Sequence, residues 1–311
     1  MITSLFRRIL KGGALSLIVV AFILGCAAPQ TEKQPTGKKP ILERGERQQI
    51  KIGKKRRRFY VYTPSSYDGK KPVPLIFDFH GSGGNPRGEV GYSDSANLAE
   101  KKGFILVALD GIYGRKSWNT AKDPKGVDDI GFIKEVLGII TGKYKIDKNK
   151  IYAMGMSGGA RMSSRIGCDL ADTFAAIAPV TGVQFLDNCS PSRAVPVITF
   201  HGKKDLVNHY THRSNSRAYW IHGVEDSVDK WVENNGCDKN PQTTEISTVV
   251  TKLSWSNCRD GADVVFYQIE DGGHTWPGSP VTLTAGWAGK TNKDIVATDL
   301  IWEFFMAHPM P

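Results

Sequence analysis

From residue 48 onward, short apolar runs alternate with longer amphipathic stretches, and this rhythm restricts the chain to a layered α/β fold. Residues 73–79 (VPLIFDF), 104–109 (FILVAL), 150–154, 175–180, 195–200 and 264–269 are near-continuous apolar runs of the length of strands buried on both faces. Between them, residues 94–102, 127–144, 158–167, 224–235 and 294–307 carry helical patterning. Strand, crossover helix and next strand, repeated in this way, predict a mostly parallel sheet covered by helices on both faces. Residues 48–52 and 57–63 predict a hairpin turning at Gly53, ahead of that sheet. With no internal repeat and no second boundary, residues 47–311 are expected to form one domain.

One turn in this pattern carries chemistry. Gly155-Met156-Ser157-Gly158-Gly159 follows the strand at 150–154 and opens the helix at 158–167. A sharp strand-to-helix turn pushes a serine hydroxyl out above the sheet, and small residues two before and two after let the backbone fold back. The partners of an activated serine follow in the order acid, then histidine. Asp205 lies in HGKKD after the strand at 195–200, and His274 in EDGGH after the strand at 264–269. That is the chain order of α/β hydrolases, and all three loops belong to the carboxyl rim of a parallel sheet. Ser157 is then the nucleophile, His274 its general base and Asp205 the group that orients the imidazole. Two backbone N–H groups are needed for the oxyanion. Gly158 follows the nucleophile, and Ser82 stands in His80-Gly81-Ser82-Gly83-Gly84 after the strand at 73–79. That loop lacks the spacing of either common phosphate-binding glycine motif.

The formal net charge of +10 is unevenly placed: +3 lies in residues 1–25 and +8 in residues 27–58, which leaves −1 for everything after Arg58. A nearly neutral body argues against a nucleic-acid-binding protein. The N-terminus has a basic start (Arg7, Arg8, Lys11) and an apolar run at 14–24 too short to span a bilayer, which reads as a signal peptide over 1–25. Ile23-Leu24-Gly25-Cys26 resembles the bacterial lipoprotein box, so Cys26 is expected to receive lipid and hold the protein at a membrane of the cell envelope; plain secretion after cleavage near Ala27 is the alternative. Residues 26–46 have the composition of a flexible linker. The basic run at 54–58 reads as a solvated strand edge that discourages edge-to-edge pairing, or as a contact for anionic lipid or acidic polysaccharide.

Export places the remaining cysteines in an oxidising compartment, where Cys168, Cys189, Cys237 and Cys258 are an even set with three possible pairings. Pairing 168 with 189 and 237 with 258 closes two local loops and is preferred. A rival constellation, His201, Asp205, His209 and His212, has the residue types of a metal hydrolase but sits in a polar loop without a helix to align it.

The sequence between 57 and 308 resembles the extracellular esterases that group polyhydroxybutyrate depolymerase-like proteins with feruloyl and acetylxylan esterases of the first carbohydrate esterase family. The resemblance rests on GMSGG, HGSGGN, Ser117-Trp118-Asn119, VDDIGF at 127–132, FAAIAPVTG at 174–182, HGKKD and GGHTWPG at 272–278. It implies an α/β-hydrolase fold, the triad Ser157, Asp205 and His274, and no cofactor or metal. Trp118, Asn119 and Trp276 are expected to line the substrate cleft, while Asp128 and Asp129 at a helix start are expected to cap and fix loops. After Asp205 the chain departs from its relatives, and His209, Tyr210, Trp220 and His222 are candidates for a distinct cleft wall. The implied activity is hydrolysis of feruloyl or acetyl esters of plant polysaccharide. Short hydroxyalkanoate esters are the alternative substrate, and a noncatalytic glycan-binding surface lipoprotein is the alternative of another class.

Overall fold

The computed structural model describes residues 40–311. The expected signal peptide, the lipidated Cys26 and most of the linker lie outside the described residues. The linker expectation is corrected at its end: Ile41–Arg44 form a 3-10 turn, Ile41 is buried, and Arg44 pairs with Glu100 at 2.6 Å. Buried Ile41, Leu42 packed beside it, and Arg44 bound to Glu100 and Thr63 O hold a segment whose composition is otherwise that of a tether.

Ten strands form one sheet in the order β1-β2-β4-β3-β5-β6-β7-β10-β9-β8. They are β1 (Glu46–Ile52), β2 (Lys55–Tyr62), β3 (Val73–Phe79), β4 (Ile105–Leu109), β5 (Ile146–Met156), β6 (Ala176–Val180), β7 (Val197–Gly202), β8 (Gln242–Ser247), β9 (Val250–Trp255) and β10 (Val264–Ile269). Pairing is parallel from β4 through β3, β5, β6 and β7 to β10, and antiparallel at both margins. The helices are α1 (Pro86–Tyr92), α2 (Ser95–Lys102), α3 (Asp129–Lys143), α4 (Gly158–Asp169), α5 (Val224–Asn235) and α6 (Ala297–Ala307). One apolar core packs α3, α4 and α5 on one face through Phe132, Ile166 and Trp231. The other packs α1, α2 and α6 through Val90, Leu98 and Phe305.

The expected parallel strands all form, and three elements are additional. Strands β8 and β9 are an antiparallel hairpin; β8 is exposed almost throughout, so it has no apolar alternation to reveal it. Helix α1 holds Pro86 at its start and two glycines, poor intrinsic material for a helix. It forms because Asn85 caps the Gly88 N–H and Val90, Glu89 and Tyr92 are buried.

The basic run at 54–58 is not a uniformly solvated edge. Arg57 is buried, donates to Asp129 Oδ1 at 2.6 Å and lies 4.0 Å over the Phe132 ring, while its neighbours Arg56 and Arg58 are exposed. Asp128 caps α3 through the Gly131 N–H at 2.7 Å, and Asp129 also accepts from the Asn119 N–H at 2.7 Å. These two aspartates therefore hold the loop that precedes α3, as the sequence implies. Cys168–Cys189 and Cys237–Cys258 form the two disulfides of the preferred pairing.

Candidate active site

Ser157 stands between β5 and α4 with φ 56° and ψ −111°, a strained backbone that costs about 1–3 kcal/mol for a residue with a side chain. The flanking glycines are steric necessities. A Cβ at Gly155 would lie 2.4 Å from the Phe79 carbonyl oxygen, and one at Gly159 only 1.7 Å from it. The turn is held by the Ser157 N–H donating to Val180 O at 2.9 Å and by Arg161 N–H donating to Ser157 O at 3.1 Å.

Asp205 follows β7 and His274 follows β10, neighbouring parallel strands, so both loops emerge on the rim that carries Ser157. His274 Nδ1 lies 2.7 Å from Asp205 Oδ2, which makes Nδ1 the protonated nitrogen and leaves Nε2 as the basic one. The other carboxylate oxygen, Oδ1, accepts the N–H groups of Val207 at 2.7 Å and Asn208 at 2.8 Å. Burial acts to raise the Asp205 pKa, but hydrogen bonds from His201 and His274 outweigh it and hold the carboxyl far below the usual carboxylate range. Asp205 is therefore a fixed negative charge beside the imidazole.

Ser157 and His274 line the same cavity of about 690 Å³. Ser82 lies on its wall, in the loop after β3, and a Cβ at Gly158 would come within 3.0 Å of Ser82 N. The Ser82 loop thus packs directly against the turn that carries Ser157 and Gly158. Ser82 Oγ is 2.7 Å from Ser117 Oγ, which ties this loop to the one after β4.

Three expected cleft residues are elsewhere. Trp118 is buried edge-on against Phe79, its Nε1–H donating to His80 O at 2.8 Å. Asn119 spends its side chain on the loop backbone, donating to Asp123 O at 2.8 Å and accepting from Asp123 N at 2.9 Å. Trp276 is fully buried in the second core, its Nε1–H donating to Thr298 Oγ1 at 2.9 Å. In each case a core or loop partner takes the polar group that a substrate contact would need. The proposed wall of His209, Tyr210, Trp220 and His222 is likewise corrected. Trp220 is buried with Nε1–H on His209 O, Tyr210 donates to Glu225, and His222 pairs with Asp187.

The cavity is walled instead by Trp287, Leu283, Leu206, Tyr92 and Tyr219, with Arg217 at its edge. Trp287 is 54% exposed and its ring centroid lies 6.1 Å from that of His274. Arg161, buried and stacked 4.1 Å from the Tyr219 ring, holds that tyrosine in place, and burial lowers its pKa to about 10. Glu89 lies on the wall behind the Ser82 loop: Oε2 accepts the Gly81 N–H at 3.4 Å and Oε1 is buried without a partner. Burial, and next the nearby Asp78 carboxyl, push Glu89 well above the usual range; burial brings Asp78 itself up to about 6 against hydrogen bonds from Ser95 and Ser93.

His201, which the sequence groups with a possible metal constellation, instead packs against the loop that carries Asp205. Its Nε2 lies 2.9 Å from Asn208 O and 3.3 Å from Asp205 Oδ2, both acceptors, so Nε2 carries the proton and steadies the acid loop. Among the described residues no group of three His, Cys, Asp or Glu side chains is placed to share a metal ion, so the rival constellation has no donor set there.

A family model, BD-FAE, matches residues 60–251. The chain belongs to the BD-FAE family. The matched span contains Ser82, Ser157, Gly158 and Asp205; His274 lies beyond it and is placed by its hydrogen bond to Asp205. Feruloyl esterase B of Piromyces equi is 30% identical to this BD-FAE chain over 229 residues, 70% of this chain and 42% of that protein. Feruloyl esterase C of Emericella nidulans is 26% identical over 280 residues, 87% of this chain and 90% of that one. The chain thus spans less than half the length of the Piromyces protein and nearly the full length of the Emericella one. Among solved structures, an acetyl xylan esterase from Aspergillus awamori superposes with a TM-score of 0.59 at 18% identity, covering 84% of this BD-FAE chain and 99% of that one. This last likeness is one of fold, a single α/β domain with a mostly parallel sheet.

Proposed function

We propose that the protein is an exported serine ester hydrolase that cleaves feruloyl or acetyl esters of plant polysaccharide through an acyl-enzyme on Ser157. The observation that carries this reading is the 2.7 Å contact between His274 Nδ1 and Asp205 Oδ2 in a cavity that Ser157 shares. The Ser157 hydroxyl attacks the ester carbonyl while His274 Nε2 takes its proton, and Asp205 stabilises the imidazolium that results. The carbonyl electrons move onto oxygen, where the N–H groups of Ser82 and Gly158 receive them. Collapse breaks the bond to the alcohol, which leaves with the proton from His274; water, deprotonated by the same imidazole, then releases the acid and restores Ser157.

The exposed Trp287 and the apolar Leu283 and Leu206 give an aryl acyl group a flat surface to lie on, which favours feruloyl esters over hydroxyalkanoates. Both disulfides suit an oxidising compartment, and a lipid on Cys26 of the lipoprotein-like box would tether the enzyme to a membrane. Turnover of methyl ferulate, acetylated xylan and hydroxybutyrate oligomers tests the assignment. Ferulate or acetate release ahead of hydroxybutyrate supports it; no release from any of the three refutes it.

A further inference from the structure

We propose that the polysaccharide bearing the ester also bears carboxylates, the polymer running from Ser157 across Leu206 into a groove lined by cations. This rests on the esterase reading above and adds the chemistry of the leaving group.

A second cavity, of about 660 Å³, adjoins the catalytic one; Leu206, 64% exposed, lines both. Asp205, which holds His274, forms part of its floor. Its rim carries Lys203, Lys204, Arg213 and Lys290. Two of these are neutralised locally, Lys203 by Glu270 and Lys290 by Asp271. Lys204 and Arg213 are exposed and in no salt bridge among the described residues, and the same holds for Arg217 at the edge of the catalytic cavity. The chain after Arg58 has a net charge of −1, so unpaired cations at two adjoining cavities are not the overflow of a basic body.

The position of these cations decides which part of the substrate is charged. Beside Ser157 and His274 the catalytic cavity offers Trp287, Leu283 and Tyr92 to an acyl group, with Arg217 also on its lining. Lys204 and Arg213 line the second cavity across Leu206 from Ser157, the direction this proposal gives to the leaving polymer. A neutral sugar offers hydroxyls, which need no compensating charge. A uronate offers a carboxylate, which guanidinium binds through paired hydrogen bonds and ammonium as a point charge. A groove of this volume is in the range of small-ligand sites, enough for a sugar unit with its carboxylate.

The test uses the full chain and two polymers: a xylan with glucuronate side groups, and the same xylan with its carboxyls reduced to alcohols, both acetylated chemically to the same degree. Acetate release gives kcat/KM on each, with p-nitrophenyl acetate as a small ester alongside. The unmodified protein is expected to favour the acidic polymer by about fivefold at low salt, and the preference to vanish near about 0.5 M salt. Lys204→Gln combined with Arg213→Gln is expected to bring the low-salt ratio between the two polymers close to one. A ratio of one in the unmodified protein, or a preference that the double variant keeps, overturns the proposal. Double-variant loss of binding to phosphatidylglycerol vesicles, with an unchanged polymer ratio, assigns these cations to a lipid surface and also overturns it. Absence of turnover on all three substrates overturns the esterase reading itself, and the role of the groove with it.

Discussion

His201 Nε2 lies 3.3 Å from Asp205 Oδ2, the same oxygen that accepts from His274. The acid of the proposed triad is thus gripped by two imidazoles and two backbone N–H groups, and its orientation toward His274 depends on all four. His201 is fully buried and off the lining of the catalytic cavity, so it acts as a positioning residue. His201→Ala is expected to lower kcat by about ten- to a hundredfold with little change in KM, because small misplacement of a general base is expensive. Steady-state kinetics on p-nitrophenyl acetate separates this from a binding defect, which raises KM instead.

The ion pair between Arg57 and Asp129 is buried on both sides, 72 residues apart in sequence. Removing one partner leaves an uncompensated charge in a closed core. Arg57→Met is expected to cost about 3–5 kcal/mol, read as a lower midpoint in urea denaturation. Replacing both partners with apolar residues of similar volume is expected to recover much of that loss.

The Glu89 carboxyl is held well above its ordinary value of 4.5 by burial and by Asp78. Between 4.5 and the raised native value, the folded protein keeps a proton that the unfolded chain releases. Stability therefore falls as pH rises across that window. In Glu89→Gln this contribution is absent, so thermal midpoints compared from about pH 5 to about pH 9 are expected to shift in the variant's favour as pH rises. A gap that stays constant across the series contradicts the assignment.

The exposed Trp287 faces His274, whereas Trp118 and Trp276 are consumed by the core. Trp287→Ala is expected to raise KM for methyl ferulate by about fivefold, and to affect acetyl esters several times less, because only an aryl group stacks on the indole. Equal effects on both ester classes refute its role as the acyl platform.

The parallel core was legible in the sequence because strands buried on both faces must be continuously apolar, as in β3 and β10. The serine turn was legible because only glycine fits at 155 and 159, where the Phe79 carbonyl crowds the backbone. The edge strand β8 was not, since a solvated edge needs no apolar pattern. Nor was the inward turn of Arg57, whose partner Asp129 reaches it only through the fold. The tryptophans show the limit most clearly. Trp118 and Trp276 stand next to motif residues, yet proximity in sequence does not say which face a side chain takes. Trp287, in a stretch with no motif, lines the cavity because the loop before α6 returns across His274. His201 was visible as a histidine four residues before Asp205, but its hydrogen bond to Asn208 O depends on how the acid loop folds back.

The proposed mechanism requires that Ser157 be acylated during turnover. Reaction with a fluorophosphonate, followed by peptide mass mapping, tests it most directly. One phosphonyl group is expected, located on the peptide that carries Ser157, with esterase activity lost in proportion to labelling and no labelling of Ser157→Ala. Labelling at a different residue, or full activity in the stoichiometrically labelled protein, contradicts it.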